Sequence, residues 1–423
     1  MDDSEHQNSK VCGNLNGDYI SNLPDDLKQQ IFFKLPMKDV VRTSILSSKW
    51  KDSWTSIPSL VFKGKFTESR FIKLVDNVLI VHHGPILKFT LVSKHPCNEA
   101  IGRWMLSLSR NGIRNLKLRF GGGERCQIPS RLFSCIALNH VQLSGCIINV
   151  PQSFQGFKLL RALSLNKFDL TGISVGNLVS TCPLLEDLSL SHFAQQGCLH
   201  IIAANLRNLI ICGEFHDLCL ETPELTSASI YFYPNNEDYK MLSVANAGNE
   251  SNIIQALGCL HKIRKLDVGG EFINYLAMGP KPENLPTIFN HLTEIFVPLY
   301  SWDQDEIAAA LCLFKNAPNL RMLDIEFWDY ECEDKPQAQD LWKLKRPEVC
   351  LFKCLKEANI LHVQNPVLSI ESMLQFSELV LSTAPVLQKL NVIDFKDATL
   401  FLKKLECFPK LSKEAKIVRV KEW

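Results

Sequence analysis

From residue 86 onward, apolar positions recur in one figure: two aliphatic residues three apart, then a third two further on. It reads "ILKFTL" from Ile86, "IRNLKL" from Ile113, "LNHVQL" from Leu138, "LRALSL" from Leu160 and "LEDLSL" from Leu185. It continues as "LRNLII" from Leu206, "LTSASI" from Leu225, "IRKLDV" from Ile263, "LTEIFV" from Leu292, "LRMLDI" from Leu320 and "LQKLNV" from Leu387, with a weaker "LKEANI" from Leu355. Up to Leu225 the starts are 27, 25, 22, 25, 21 and 19 residues apart; later gaps are 38, 29, 28, 35 and 32. The last two apolar positions flank a residue that is usually polar, which predicts a short strand with one face inward. Between strands lie apolar helical turns such as "VGNLVSTCPLLEDLSL", ending at Cys182-Pro183; Pro318 and Pro385 close two others in the same way.

One such unit cannot bury its own apolar face, whereas stacked units share a continuous core. Periods of 20 to 29 residues with this figure are the signature of a leucine-rich repeat. The alternative, an ordinary α/β domain with coincidental leucines, does not account for the recurring helix–proline–strand order. Residues between the last two anchors should form one outward row: Thr90, Lys117, Gln142, Ser164, Ser189, Ile210, Ser229, Asp267, Phe296, Asp324 and Asn391.

Ahead of the repeats, "LPDDLKQQIFFKLP" (23–36) has a different period. Leu27, Ile31 and Leu35 recur every four residues, one face of a helix, and Phe32 and Phe33 widen it. Pro24 suits a first helical turn, and Asp25 and Asp26 favour its positive end. Pro36 stops this helix and starts another carrying Val40, Val41 and Ser44; a third segment sets Trp50 and Trp54 four apart on one face. Three helices this short have more apolar surface than they can bury among themselves. They either cap the chain that follows or grip a partner. Residues 1–17 are polar, with Asn, Asp, Ser and Gln throughout, and are expected to form a disordered tail.

Composition narrows the classes. Forty-six basic against 45 acidic residues give a net charge of +1, which argues against a nucleic-acid or membrane-surface partner. No apolar run approaches 18 residues, and the acidic start "MDDSEHQNSK" resembles neither a secretory signal nor a transit peptide. Fifteen cysteines without paired spacing read as reduced thiols in the cytoplasm and/or nucleus, leaving the sequon Asn249-Glu250-Ser251 unused.

The stretch "DYISNLPDDLKQQIFFKLPMKDVVRTSILSSKWKDSW" resembles an F-box: Leu23-Pro24, Ile31, Leu35, Pro36, Val40-Val41-Arg42 and then Leu46-Ser47-Ser48-Lys49-Trp50 follow the family's order. "CLFKCLKEANIL" (350–361), "ELVLSTAPVLQKLNV" (378–392) and "FPKLSKEAKIVRV" (408–420) resemble the FBD domain that ends many plant F-box/leucine-rich-repeat proteins, and "RLFSCIALNHVQLSGCII" (131–148) resembles that family's early repeats. "NPVLSIES" in place of a glycine-containing turn, and the polar insert "DYECEDKPQAQDLWKLKRP", depart from the pattern. The resemblance implies an α/β chain: a polar tail (1–17), a three-helix F-box (18–60), a leucine-rich-repeat horseshoe (61–345) and an FBD segment continuing the repeats (346–423). It implies a substrate-recognition subunit of a Skp–cullin–F-box ubiquitin ligase, without an active site. Its Skp-type adaptor, and through that a cullin, would be met by Leu23, Pro24, Leu27, Ile31, Leu35, Val41 and Trp50. The alternative is a repeat scaffold that works without an adaptor.

Other motifs suggest chemistry less well. Gly172-Ile173-Ser174-Val175-Gly176 spells G-x-S-x-G but sits in a strand-to-helix connection, where small residues serve turns. Cys212, His216 and Cys219 offer three metal ligands with no second cluster, and Cys350 and Cys354 fit a buried helical face, so no metal is expected. "FGGGERC" (120–126) lacks the G-K-[ST] of a phosphate loop, and His82-His83 before Gly84-Pro85 reads as a solvated turn. An inositol phosphate inside the horseshoe would need a ring of cations, yet the outward row has one, Lys117; no cofactor is expected. Target recognition is expected where the row turns aromatic and acidic: Phe296, with Tyr300 and Trp302 beyond, beside Asp324, Glu326, Trp328 and Asp329. Trp302 and Trp328 have an alternative as core under neighbouring loops.

Overall fold

The computed structural model describes residues 19–35, 37–45, 50, 53–64, 66–195, 197–215, 217–232, 252–278, 285, 287–300, 304–328, 351–363, 370–393 and 398–420. Pro36, residues 46–49, His216, Trp302, Asp329, the polar tail, the insert after Trp328 and the segment 233–251 lie outside them.

Each apolar figure forms a strand. In chain order these are β1 (Ser59–Lys63), β2 (Lys88–Ser93), β3 (Asn115–Phe120), β4 (Cys126–Ile128), β5 (His140–Asn149), β6 (Ala162–Thr171) and β7 (Asp187–Ala194). Then come β8 (Cys198–Ile202), β9 (Asn208–Glu214), β10 (Asp217–Glu221), β11 (Ser227–Phe232) and β12 (Lys265–Val268). The last five are β13 (Glu294–Tyr300), β14 (Met322–Trp328), β15 (Glu357–Val363), β16 (Lys389–Ile393) and β17 (Lys416–Val420). All except β8 and β10 join one parallel sheet of 15 strands whose order follows the chain, with β4 as a side branch on β5. That is a solenoid: each unit lies beside its sequence neighbours.

The outward row holds strand by strand. Thr90 pairs with Lys117, Lys117 with Gln142, Gln142 with Ser164, Ser164 with Ser189, and Ser189 with Ile210. Ile210 pairs with Ser229, Ser229 with Asp267, Asp267 with Phe296, and Phe296 with Asp324. Asp324 then pairs with Asn359 and Asn359 with Asn391. Two strands lie beyond the predicted run. The first, β1, carries the same figure as Ile57, Leu60 and Phe62, with an aromatic in the last place; β17 carries Ser412, Ala415 and Ile417, too weakly apolar to stand out.

Helices cover the other side of the sheet, including Glu68–Val81 (α3), Asn98–Arg110 (α4), Val175–Ser180 (α5), Asn252–Gly258 (α6) and Gly270–Met278 (α7). Where the repeat shortens to 21 and then 19 residues, too few remain for a helix, and the return segments become β8 and β10, a two-stranded parallel sheet between α5 and α6. Inside, Phe168, Phe193, Phe215, Phe232 and Phe272 form a spine with successive ring centroids 5.5, 6.1, 4.4 and 6.1 Å apart. Such ring pairs contribute roughly 0.5–1.5 kcal/mol each beyond their buried area.

At the N-terminal end, α1 (Asp25–Lys34) and α2 (Met37–Arg42) lead into 3₁₀ turns at Thr43–Ile45 and Ser53–Ser56. The third predicted helix is therefore, among the described residues, a single 3₁₀ turn that buries Trp54. Phe32, Met37, Val40, Trp50 and Ile57 are buried in the same core as β1, so this segment closes the open end of the solenoid. The seam is pinned by the chain after α3. His83 N–H donates to the Thr55 carbonyl at 2.9 Å, and His82 Nε2 lies 2.9 Å from the Ile57 carbonyl. His82 is thus half-buried and tethered, not part of a solvated turn, and desolvation holds its pKa below the usual value.

Candidate functional site

Two surfaces are candidates, one at each level of the chain. On α1 the exposure is inverted. Lys28 is only 7% exposed, its ammonium 3.0 Å from the Asp25 carboxylate, while Leu27 and Ile31 are 43% and 36% exposed. A helix with only a core to satisfy would do the reverse. The reason is that Phe32 takes the inward face, packed perpendicular to Trp50 at 5.5 Å between ring centroids. Leucine and isoleucine, offset from that face, are left in water. Pro24 is exposed beside them, and Leu23, Leu35 and Val41 are half-buried against the core. Tyr19, Ile20 and Ile45, not expected from the pattern, add exposed apolar surface to the same end.

Trp50 requires a correction. It is 2% exposed, and its indole N–H donates to the Ile20 carbonyl at 3.1 Å. Its ring is spent inside the domain, packed on Phe32 of α1, and is not presented to a partner.

The second surface is the strand face near the C-terminal third. Asp267, Phe296 and Asp324 stand side by side on β12, β13 and β14, with Pro298 opposite Glu326 and Tyr300 opposite Trp328. Phe296, Asp324, Glu326 and Trp328 are half-buried on one face, while Leu323, Ile325 and Phe327 point into the core. Alternation therefore sets Trp328 on the outward face, half-buried; the side chain of Tyr300 lies outside the described residues. Alternation puts Glu326 two residues beyond Asp324 on the same face.

The carboxylates of this surface are held rather than free. Tyr231 and Ser229 hydroxyls donate to Asp267, the second at 3.3 Å, and the Asn359 amide donates to Asp324. Burial raises the pKa of both carboxyls, partly offset by these hydrogen bonds; burial first, then the Asp267 carboxylate, raises that of Tyr231. Asn391 extends the chain, donating to Asn359 at 2.7 Å and to Glu357 at 2.6 Å. This network departs from expectation in one respect. Asn359 and Asn391 are fully or nearly fully buried, as is Thr90, so the outward row is solvated only in part. Asp267 was visible in the row, but Tyr231 joins it only through the register that sets β11 beside β12.

The other motifs resolve into structure. Ser174 caps α5, its Oγ accepting from Asn177 N–H at 3.2 Å, so the G-x-S-x-G stretch is a helix start. Cys212 lies on the strand face beside Ser191 and Tyr231, whereas Cys219 lies on the back sheet, so these two do not share a site. Cys354 sits in a turn before β15 and not on a helix. Burial pushes the thiols of Cys135 and Cys146 up to about 11 and about 12, which leaves them unreactive.

An N-terminal helical domain capping a parallel repeat solenoid is the architecture of an F-box protein with leucine-rich repeats. Residues 20–62 match the F-box domain model, and residues 101–325 match the model described as "FBD-associated F-box protein At5g56370, LRR repeats". The F-box/FBD/LRR-repeat protein At1g13570 of Arabidopsis thaliana is 33% identical over 426 residues, covering 95% of this chain and 98% of that protein. The FBD-associated F-box protein At4g10400 of the same plant is 28% identical over 342 residues, 74% of this chain and 79% of its own. F-box/LRR-repeat protein 13, also from Arabidopsis thaliana, is 24% identical over 471 residues, 99% of this chain and all of its own. The chain belongs to the F-box/FBD/LRR-repeat family.

Proposed function

We propose that this chain is the substrate-recognition subunit of a Skp–cullin–F-box ubiquitin ligase, working in the cytoplasm and/or nucleus. The outward face of α1, with Pro24, Leu27 and Ile31 at its centre and Leu23, Leu35 and Val41 at its margins, docks to a Skp-type adaptor and through it to a cullin. The strand face around Phe296 holds the target. The chain supplies no chemistry of its own; it raises the effective concentration of the target near a ubiquitin-charged enzyme.

The observation that carries this reading is the inverted exposure of α1, with Lys28 tucked in and Leu27 and Ile31 left out. Each large apolar side chain covered by a partner would contribute roughly 1.5–3 kcal/mol. The capping role of the F-box supports a second reading, a scaffold without an adaptor, because a cap is needed in either case. Replacing both residues, Leu27→Arg with Ile31→Arg, separates them. Loss of Skp-type adaptor co-purification with an unchanged melting temperature supports the ligase subunit. If the wild-type chain captures no adaptor, the scaffold reading stands.

For the target, charge complementarity favours a basic or amphipathic segment. Phe296 is flanked by Asp267 and Asp324, with Glu326 on the next row. An aromatic anchor among carboxylates suits an arginine or lysine stem laid across the ring.

A further inference from the structure

The two short repeats place a group of side chains on the back of the solenoid that the docking reading does not use. In the back sheet, Leu199 and Ile201 of β8 and Leu218 and Leu220 of β10 are buried. Alternation then turns Cys198 and His200 outward from β8, and Asp217 and Cys219 outward from β10. The register sets His200 directly opposite Cys219, and Cys198 opposite Asp217. The two sulfur atoms lie 3.2 Å apart, and the sulfur and imidazole ligand atoms of Cys198, His200 and Cys219 all lie within 4.8 Å of one another.

We propose that Cys198, His200 and Cys219 form a binding site for a thiophilic d¹⁰ cation of the zinc class. Two sulfurs and one imidazole are the donors such ions select, and hard cations such as magnesium and calcium are disfavoured by them. Zinc–sulfur and zinc–nitrogen bonds of about 2.3 and 2.0–2.1 Å set the ligand atoms of a tetrahedron roughly 3.3–3.8 Å apart. The sulfur–sulfur separation of 3.2 Å and a spread of ligand atoms within 4.8 Å lie on either side of that range. His200 is exposed, which leaves the fourth position to water.

The surroundings hold the ligands in place. The Gln195 side-chain amide donates to the Cys198 carbonyl at 3.2 Å, fixing the entry to β8. Gly176 of α5 lies so near the His200 carbonyl that a Cβ there would stand 2.1 Å from it, so α5 packs directly under the strand. Cation binding breaks both S–H bonds, forms two metal–sulfur bonds and releases two protons to water, with no oxidant or reductant required.

The test uses the full chain, reduced and kept free of oxygen, titrated with cobalt(II) as a spectroscopic stand-in. One equivalent should give thiolate-to-metal charge transfer and the visible bands of a tetrahedral ion, and zinc should displace it. Cys198→Ser and Cys219→Ser should each weaken cobalt binding by more than the roughly 10–100-fold that follows loss of a group hydrogen-bonded to a ligand. Cys407→Ser, an exposed cysteine far along the chain, should bind as wild type. X-ray absorption at the zinc edge of the wild-type chain, which needs no variant, should report two sulfur neighbours. Cobalt binding unchanged in the Cys198→Ser, Cys219→Ser double variant would overturn the site. So would a Cys198–Cys219 disulfide that survives treatment with excess reductant.

Discussion

Phe32 and Trp50 meet at right angles, 18 positions apart in sequence and 5.5 Å apart between ring centroids, and this contact orients α1. With Phe32 inward, the helix turns Leu27 and Ile31 to solvent. Two kinds of mutation should therefore abolish adaptor binding for different reasons. Trp50→Ala should cost about 3–5 kcal/mol of local stability and lose adaptor capture by unfolding the cap. Leu27→Arg with Ile31→Arg should lose capture while thermal unfolding stays as in wild type. Equal melting of Trp50→Ala and wild type would show that the ring is not the support described.

Phe296 and Asp324 are paired across β13 and β14. The double variant Phe296→Ala, Asp324→Ala should lower target capture by at least tenfold while adaptor binding persists, as expected of a central aromatic and its neighbouring charge. Capture by the wild-type chain should also weaken modestly as salt is raised from about 0.05 to 0.5 M, because half-buried charge pairs are still screened in part. Undiminished capture by the double variant would move recognition to the FBD end or to the stretch between Tyr233 and Asn252.

His82 links the F-box seam to pH. Its pKa is lowered from 6.5 chiefly by desolvation, so the unfolded chain binds the proton more readily than the folded one. The folded chain keeps its full stability above pH 6.5 and loses this contribution as pH falls through the depressed folded pKa. His82→Gln, whose amide can still donate to the Ile57 carbonyl, should remove that part of the slope. Melting temperatures of the two proteins between about pH 5 and 7.5 would show it; parallel curves would contradict it.

The strands β5 and β6 bend two residues past their last anchor, at Gly145 with φ of 70° and Lys167 with φ of 48°. His192 in β7 does the same with φ of 53°. Gly145→Ala should destabilise the chain by more than about 1 kcal/mol, since φ is positive and the new Cβ would stand 2.3 Å from the Phe120 carbonyl. Lys167→Gly should stabilise it by up to about 1 kcal/mol, because only glycine occupies that region without strain. Chemical denaturation of the two variants tests both signs.

Much of this architecture was legible in the sequence because leucine-rich repeats are local. Three apolar positions within six residues define a strand, its inward face and its outward residue. Parallel stacking then carries Asp267, Phe296 and Asp324 into one row without further information. The F-box was legible for a similar reason, since proline, leucine and tryptophan positions along a short segment define its helices. Tertiary structure decided what those residues face. Trp50 and Leu27 are both apolar in one short domain, yet packing against Phe32 buries the first while the second is left exposed. Asn359 and Asn391 occupy outward positions and are still buried, because their amides are shared with Asp324 and Glu357. Cys198 and Cys219 stand 21 residues apart and come within 3.2 Å only because two repeats are too short for helices and return as paired strands. Periodicity along the chain specifies direction within a unit; proximity between units depends on how much chain each one has left to return.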